Sequence, residues 1–355
     1  MKIFISFLFT ITALQNSLFG ASNHAIILQY HRFGESRYPS TDISMELFTK
    51  QINYLVRNDY KVWKLSKIVK YLLKNRKIPD KIISLTMDDA YKSVYTQAYP
   101  LLKKYHLPFT VFVNSEPIIH KSRMYMSWDE MREMGKSGAE FANHSYSHQY
   151  LVRRYRDKPK QYAIFVKKEL QKCEIKIEKE LGKAVSTHPK MLAYPFGEYD
   201  LSLIKLVKNL GYIGVAQNSA PISNKSNFMA LTRFPMSGGF GEMEKFILKI
   251  QTIPMPIKST TPKDTIVDKK NNPPHLSLTL QEPLEDLQCF TSNGKKINMK
   301  WISDTQIEIE STKKLKYPRN HYTCTAHKKD NVWYWYSHLW VILKDNSKSI
   351  DIKNK

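Results

Sequence analysis

The stretch His144-Ser145-Tyr146-Ser147-His148 sets two imidazoles four residues apart. An extended strand would hold such a pair roughly 13 Å apart, whereas a helical turn brings it onto one face with β-carbons about 6 Å apart, within reach of one ion. A second stretch, Ser84-Leu85-Thr86-Met87-Asp88-Asp89-Ala90, puts adjacent carboxylates at the end of an apolar run. Two imidazoles and one carboxylate bind a borderline divalent ion such as zinc and leave positions open for water and substrate. Such an ion lowers the pKa of water and polarises a carbonyl, while a second carboxylate accepts the proton. Neighbouring aspartates point in different directions, so one binds and the other takes protons.

The elements that must position these residues alternate along the chain. Buried strands are expected at 25–30, 82–86, 109–113, 140–142, 191–194, 213–216 and 230–233. Helical spacing marks 45–58, 95–105, 127–136 (with Ser127 as N-cap), 161–181 and 201–210, the last closed by Gly211. That order implies a parallel sheet or a (β/α) barrel. His31, Asp88 and Asp89, Asn114, His144, Pro195-Phe196-Gly197 and Arg233 all fall at carboxyl ends of these strands, the edge where barrel active sites are assembled. Asn114 alone reads as a satisfied loop residue.

The chain has 355 residues, enough for two domains, and carries 55 Lys and Arg against 32 Asp and Glu, a net charge of +23. This excess suits nucleic acid, anionic membrane or acidic polymer. It is spread along the whole chain without any nucleic-acid-binding signature, which argues against nucleic acid. Lys2 followed by the apolar run Ile3 to Leu14 and by Leu18-Phe19-Gly20-Ala21 reads as a secretory signal peptide over 1–21, too short for a spanning helix. No later segment has the length and apolarity of a span. The protein is therefore expected outside the cytoplasm, periplasmic or extracellular.

Thr86-Met87-Asp88-Asp89-Ala90 resembles the T-F-D-D-G motif of the polysaccharide deacetylase (NodB-homology) family, and His144 to His148 its H-[ST]-x-x-H motif. Tyr194-Pro195-Phe196-Gly197 is similar to the family's third motif. The resemblance runs over roughly residues 24–250. Leu28-Gln29-Tyr30-His31-Arg32-Phe33 and Ala193 to Tyr199 look closest to the branch of poly-β-1,6-N-acetylglucosamine N-deacetylases. The resemblance implies an α/β fold of irregular (β/α) barrel type over 22–252 and hydrolysis of N-acetyl groups on an N-acetylglucosamine-containing polysaccharide. It implies Asp88 as general base, Asp89, His144 and His148 as ligands of one divalent ion, zinc by donor type, and the Phe196 amide as oxyanion donor. Tyr194, Pro195, Trp128 and Arg233 are the expected substrate contacts.

Three departures stand out. Ala90 replaces a glycine and cannot take positive φ cheaply. Ala193 stands where many members carry an arginine that orients the catalytic aspartate, and no L-x-H histidine follows near residue 233. For the missing general acid, His31 has two readings: proton donor to the leaving amine, or a residue that only orients its loop or ligand. His188 precedes its strand and is the weaker rival.

Prolines at 254, 256, 262, 273 and 274 suggest a linker over 253–274, then a small all-β domain over 275–345 and a polar tail over 346–355. Cys289, Trp301 and Tyr322-x-Cys324 resemble the pattern of immunoglobulin-like sandwiches. A Cys289–Cys324 disulfide is expected, closing a loop of about 36 residues, with Cys173 left a thiol. The run Trp333-Tyr334-Trp335-Tyr336, with Trp340, either stacks sugars on one face or buries both faces, one in the small domain and one against the barrel. Two functions remain open: a metal-dependent polysaccharide N-deacetylase, or a catalytically weak carbohydrate-binding or matrix-organising protein on the same fold.

Overall fold

Apolar runs without polar alternation make strands that are buried on both faces, and these lay the floor of the first half of the chain. Ile82–Asp88 is buried at all seven positions and His24–Tyr30 at all but its first. A computed structural model describes residues 23–328 and 332–344; the expected signal peptide and polar tail lie outside the described residues. In it His24–Tyr30, Ile82–Asp88, Phe109–Val113, Ala139–Asn143, Lys190–Ala193 and Tyr212–Val215 lie side by side in that order, each parallel to the next. Leu231 bridges Val215, and Phe234–Pro235 pairs with Leu28 and Gln29, so one short segment brings the two edges of the curled sheet together.

Helices cover the sheet's outer surface. Met45–Arg57 is capped by the Ser44 side chain, and Trp128–Lys136 by a Ser127/Glu130 capping box. The helix Pro159–Leu181 stops at Gly182, whose φ of 51° suits a residue without a Cβ. The strand expected at 230–233 is replaced by the two-residue strand Phe234–Pro235. There the Arg233 side chain turns inward instead of joining a ladder.

The last third forms two sheets. Ile257–Thr261, His275–Leu280, Gln306–Ser311 and Ile297–Ser303 make an antiparallel sheet of four strands. The other runs Ile253–Pro254, Val332–Ile342, Arg319–Lys328, Gln288–Thr291, with Ile266–Val267 also on Val332–Ile342. Leu276, Leu278, Ile307, Ile309, Tyr322 and Trp340 fill the core between them.

Two expectations change here. The 253–274 stretch is not a linker: it contributes three short strands, because prolines are tolerated at sheet edges and strand ends. The immunoglobulin pattern also fails in detail. Cys289 and Cys324 are joined, but they face each other on neighbouring strands of one sheet, whereas the immunoglobulin bridge spans two. Trp301, which would pack on that bridge, is instead 41% exposed.

Strand Val332–Ile342 resolves the aromatic run. Tyr334, Tyr336, Trp340 and Ile342 point into the small-domain core, while Trp335 packs on the barrel core and Leu339, Val341 and Leu343 on the cluster around Tyr194 and Leu203. The period of two thus splits one strand between two hydrophobic cores.

Candidate metal centre

Strand Ala139–Asn143 ends in a turn held from several sides. Asn143 Oδ1 accepts from the Ser145 amide, Ser145 Oγ from the His148 amide, and Glu169 of the long helix accepts from the amide and hydroxyl of Ser147. The turn is not the helical one the spacing suggested. Ser145 and His148 adopt φ of 65° and 53°, left-handed values that L side chains take only where the surroundings fix them. Asp89, Ala90 and Phe196 share this geometry, with φ of 71°, 57° and 59°. Ala90 therefore sits in the conformation its missing glycine would have suited.

These turns bring Asp89, His144 and His148 together, with one ligand atom from each lying within 4.8 Å of the others. Asp89 Oδ1 stands 3.3 Å from His144 Nε2 and 3.2 Å from His148 Nε2. Yet Asp89 Oδ1 and His144 Nε2 are buried without a hydrogen-bond partner. Orphaned buried polar atoms are costly, and a converging set of nitrogen and carboxylate lone pairs is what a divalent cation satisfies. The set fits an ion. His144 Nδ1 lies 2.8 Å from the Ala193 carbonyl, which can only accept, so Nδ1 carries the proton and Nε2 presents its lone pair inward. Burial dominates at His148 and lowers its pKa to about 4, so that ring is neutral and able to ligate.

Asp88 sits beside this set but turns the other way. Arg233 Nη1 donates to its Oδ1 at 2.7 Å and Nη2 to its Oδ2 at 2.8 Å, and Gln29 Nε2 adds a third bond at 2.7 Å. Burial alone would raise the Asp88 carboxyl. The Arg233 guanidinium leads the groups that outweigh it and lower the pKa to about 2. His31 Nε2 stands 3.8 Å from Asp88 Oδ2 on the same rim, and burial lowers its pKa despite both aspartates.

The expected substrate contacts need correction. Arg233 is fully buried and spends its guanidinium on Asp88, with Nε donating to the Ala216 carbonyl. It supplies the aspartate-orienting arginine that Ala193 cannot. Tyr194 is buried, its hydroxyl donating to the Met229 carbonyl, and Pro195 is buried in the following turn. Trp128 packs half-buried on the barrel core with Lys176 5.5 Å from its ring. Phe196 does lie at the site, its ring 4.6 Å from that of His148. His188 is exposed, with its Nδ1 3.1 Å from the Thr187 hydroxyl. Sequence reasoning missed Gln29, Glu169 and the Ala193 carbonyl; only Gln29, two residues before His31 on the same strand, carried a signal.

A family model described as polysaccharide deacetylase matches residues 75–215. Among curated relatives, poly-beta-1,6-N-acetyl-D-glucosamine N-deacetylase of Staphylococcus aureus is 28% identical over 236 residues, 61% of this chain and 79% of that protein. Among solved structures, the Streptococcus pyogenes deacetylase PplD in complex with acetate aligns with a TM-score of 0.56 at 23% identity, covering 64% of this chain and 98% of that one. IcaB from Ammonifex degensii aligns with a TM-score of 0.51 at 23% identity, covering 59% and 91%. These two structures share the fold.

Proposed function

We propose that this chain, which belongs to the polysaccharide deacetylase family, hydrolyses N-acetyl groups on an N-acetylglucosamine-containing polysaccharide of the cell envelope or matrix, outside the cytoplasm, and releases acetate. The observation that carries this reading is the converging Asp89, His144 and His148 set with a second, separately held carboxylate, Asp88, adjacent in the chain. A sugar-binding module needs no such second carboxylate. The metal we assign is zinc, from the nitrogen and oxygen donors.

In this reading Asp89, His144 and His148 hold the ion, which when bound polarises the amide carbonyl and makes water a stronger nucleophile at neutral pH. Asp88 takes the proton of the attacking water. Gln29 and Arg233 occupy three of the roughly four lone-pair sites of its carboxylate, so one remains to receive it. The Phe196 amide is assigned to the developing oxyanion. His31, facing Asp88 at 3.8 Å, is assigned to take up the proton that Asp88 accepts from water and, as the imidazolium, to give it to the leaving amine. The weak-binder alternative loses one of its two supports, the missing arginine, since a guanidinium does hold Asp88, though from position 233; the absent L-x-H histidine is the other.

The test is acetate release from a panel of N-acetylglucosamine polymers by the wild-type protein and by Asp88→Asn. Release by the wild type and a loss of about a hundredfold or more in the variant are expected for a lost general base. Equal, low release by both would remove the enzymatic reading.

A further inference from the structure

From His148 of the metal centre, a series of rings and guanidinium groups runs from the barrel into the C-terminal third of the chain. The Tyr150 ring stacks on Phe196 at 3.8 Å with an interplanar angle of 11°, and Phe196 in turn faces His148. Arg319 places its guanidinium carbon 5.9 Å from the Phe196 ring, and Arg153 lies 5.3 Å from Tyr150 and 5.0 Å from Tyr317. Arg319 thus reaches the rim of the candidate site, with Tyr317 beyond Arg153, although both lie more than a hundred residues past the metal ligands.

Their placement is fixed from below. Glu198, buried, accepts from Arg153 Nε at 2.7 Å and Nη2 at 2.8 Å, and from Arg319 Nη1 at 3.4 Å. Arg153 also donates to the carbonyls of Pro318 and Ile342. A latch between the two halves would need no more than this. Yet Tyr317 is left 45% exposed at the outer end, and among the described residues the five N–H donors of Arg319 make only the long contact to Glu198. Lys344, an exposed cation, places its Nζ 4.5 Å from the Tyr317 ring, where a sugar ring would displace it. A half-exposed aromatic ring beside unspent donors is the surface that a pyranose takes: its C–H face stacks, and its hydroxyl and acetamido oxygens accept hydrogen bonds.

We propose that Tyr317 and Arg319, next to Tyr150, form a subsite for the sugar ring adjoining the one held at the metal centre, so that the C-terminal sheets help the protein choose polymer over single sugar. The inference rests on the N-deacetylase reading and names a determinant of its substrate length. Arg319 and Tyr317 bind and orient; neither takes part in the bond-breaking step.

The experiment compares full-length wild type, Tyr317→Ala, Tyr317→Phe and Arg319→Ala on N-acetylglucosamine oligomers of rising length and on an aryl acetate. For Tyr317→Ala, kcat/KM on the longest oligomer should fall about tenfold relative to that on the aryl acetate, the size of one lost ring contact, through KM and not kcat. Tyr317→Phe should restore it. An equal loss on both substrates, or no loss on either, overturns the subsite and leaves a latch between the halves. If the wild type releases no acetate from any oligomer, the N-deacetylase reading fails first. The subsite is then judged by calorimetric binding of the same oligomers, and unchanged affinity in Tyr317→Ala overturns it.

Discussion

Arg233 meets Asp88 through two parallel hydrogen bonds, 2.7 Å and 2.8 Å long, with neither side chain exposed to solvent. The partners are 145 residues apart, and the pair closes across the seam where the first and last strands of the curled sheet come together. Removing one member leaves a buried charge uncompensated, at a cost of about 3–5 kcal/mol. Arg233→Met should lose that much unfolding free energy in urea. Adding Asp88→Asn should recover most of the stability and none of the acetate release. A single variant within about 1 kcal/mol of wild type, the spread of ordinary surface changes, would mean the pair has no such weight.

Asp89, His144 and His148 are expected to bind one divalent ion, and the readout need not be activity. Added zinc should raise the Tm of the wild type, by the equivalent of about 2.7 kcal/mol at a hundredfold excess over Kd. His144→Ala combined with His148→Ala should abolish the rise and leave no stoichiometric ion by elemental analysis. Full occupancy in that double variant sinks the assignment.

His31→Gln should keep the ion, lose most amide hydrolysis, and retain much more activity on an aryl acetate, whose leaving group needs no proton. If hydrolysis of both substrates falls equally, His31 serves only to arrange the rim around Asp88.

Lys249 is buried, its amine donating to the carbonyls of Pro235 and Phe240, and burial lowers its pKa from 10.5 to about 7. Between these values the unfolded chain binds a proton that the folded protein does not, so stability should rise with pH across that window and flatten outside it. Lys249→Met should flatten this part of the profile. A wild-type profile that falls between pH 8 and pH 10, both inside that window, would contradict the shift.

Ala90 holds a φ of 57° with its side chain fully buried. The left-handed position costs an L residue roughly 1–2 kcal/mol, while glycine gives back about 0.4–1 kcal/mol through the unfolded chain. Ala90→Gly should therefore be neutral or stabilising by up to about 1.6 kcal/mol in equilibrium unfolding. A net loss of stability would show that the methyl group's packing outweighs the backbone strain.

What the sequence made legible was local. Paired carboxylates after an apolar run and histidines four apart identify themselves by spacing, and the strands that end beside them are continuous apolar runs. The supports were not legible, because they arise from pairings fixed only by the folded sheet. Gln29 reaches Asp88 across 59 residues, and the Ala193 carbonyl that orients His144 belongs to the backbone and leaves no mark in residue type. Arg233 was visible as a residue at a strand end, but not the direction in which it turns. The prolines of 253–274 signalled a break in helix and could not distinguish a linker from edge strands.

Strand Val332–Ile342 gives alternate side chains to two cores, and this limits how the molecule can be divided. A protein cut after residue 252, the natural choice for isolating the metal-binding half, would lay bare the apolar ground on which Trp335, Leu339 and Val341 rest, around Phe234, Tyr194 and Leu203. It would also leave Glu198 without Arg319 and Asn218 without the Ser337 carbonyl it donates to. The barrel and the sheets behind it are thus expected to melt in one transition, and a shortened protein to precipitate rather than work as a smaller enzyme.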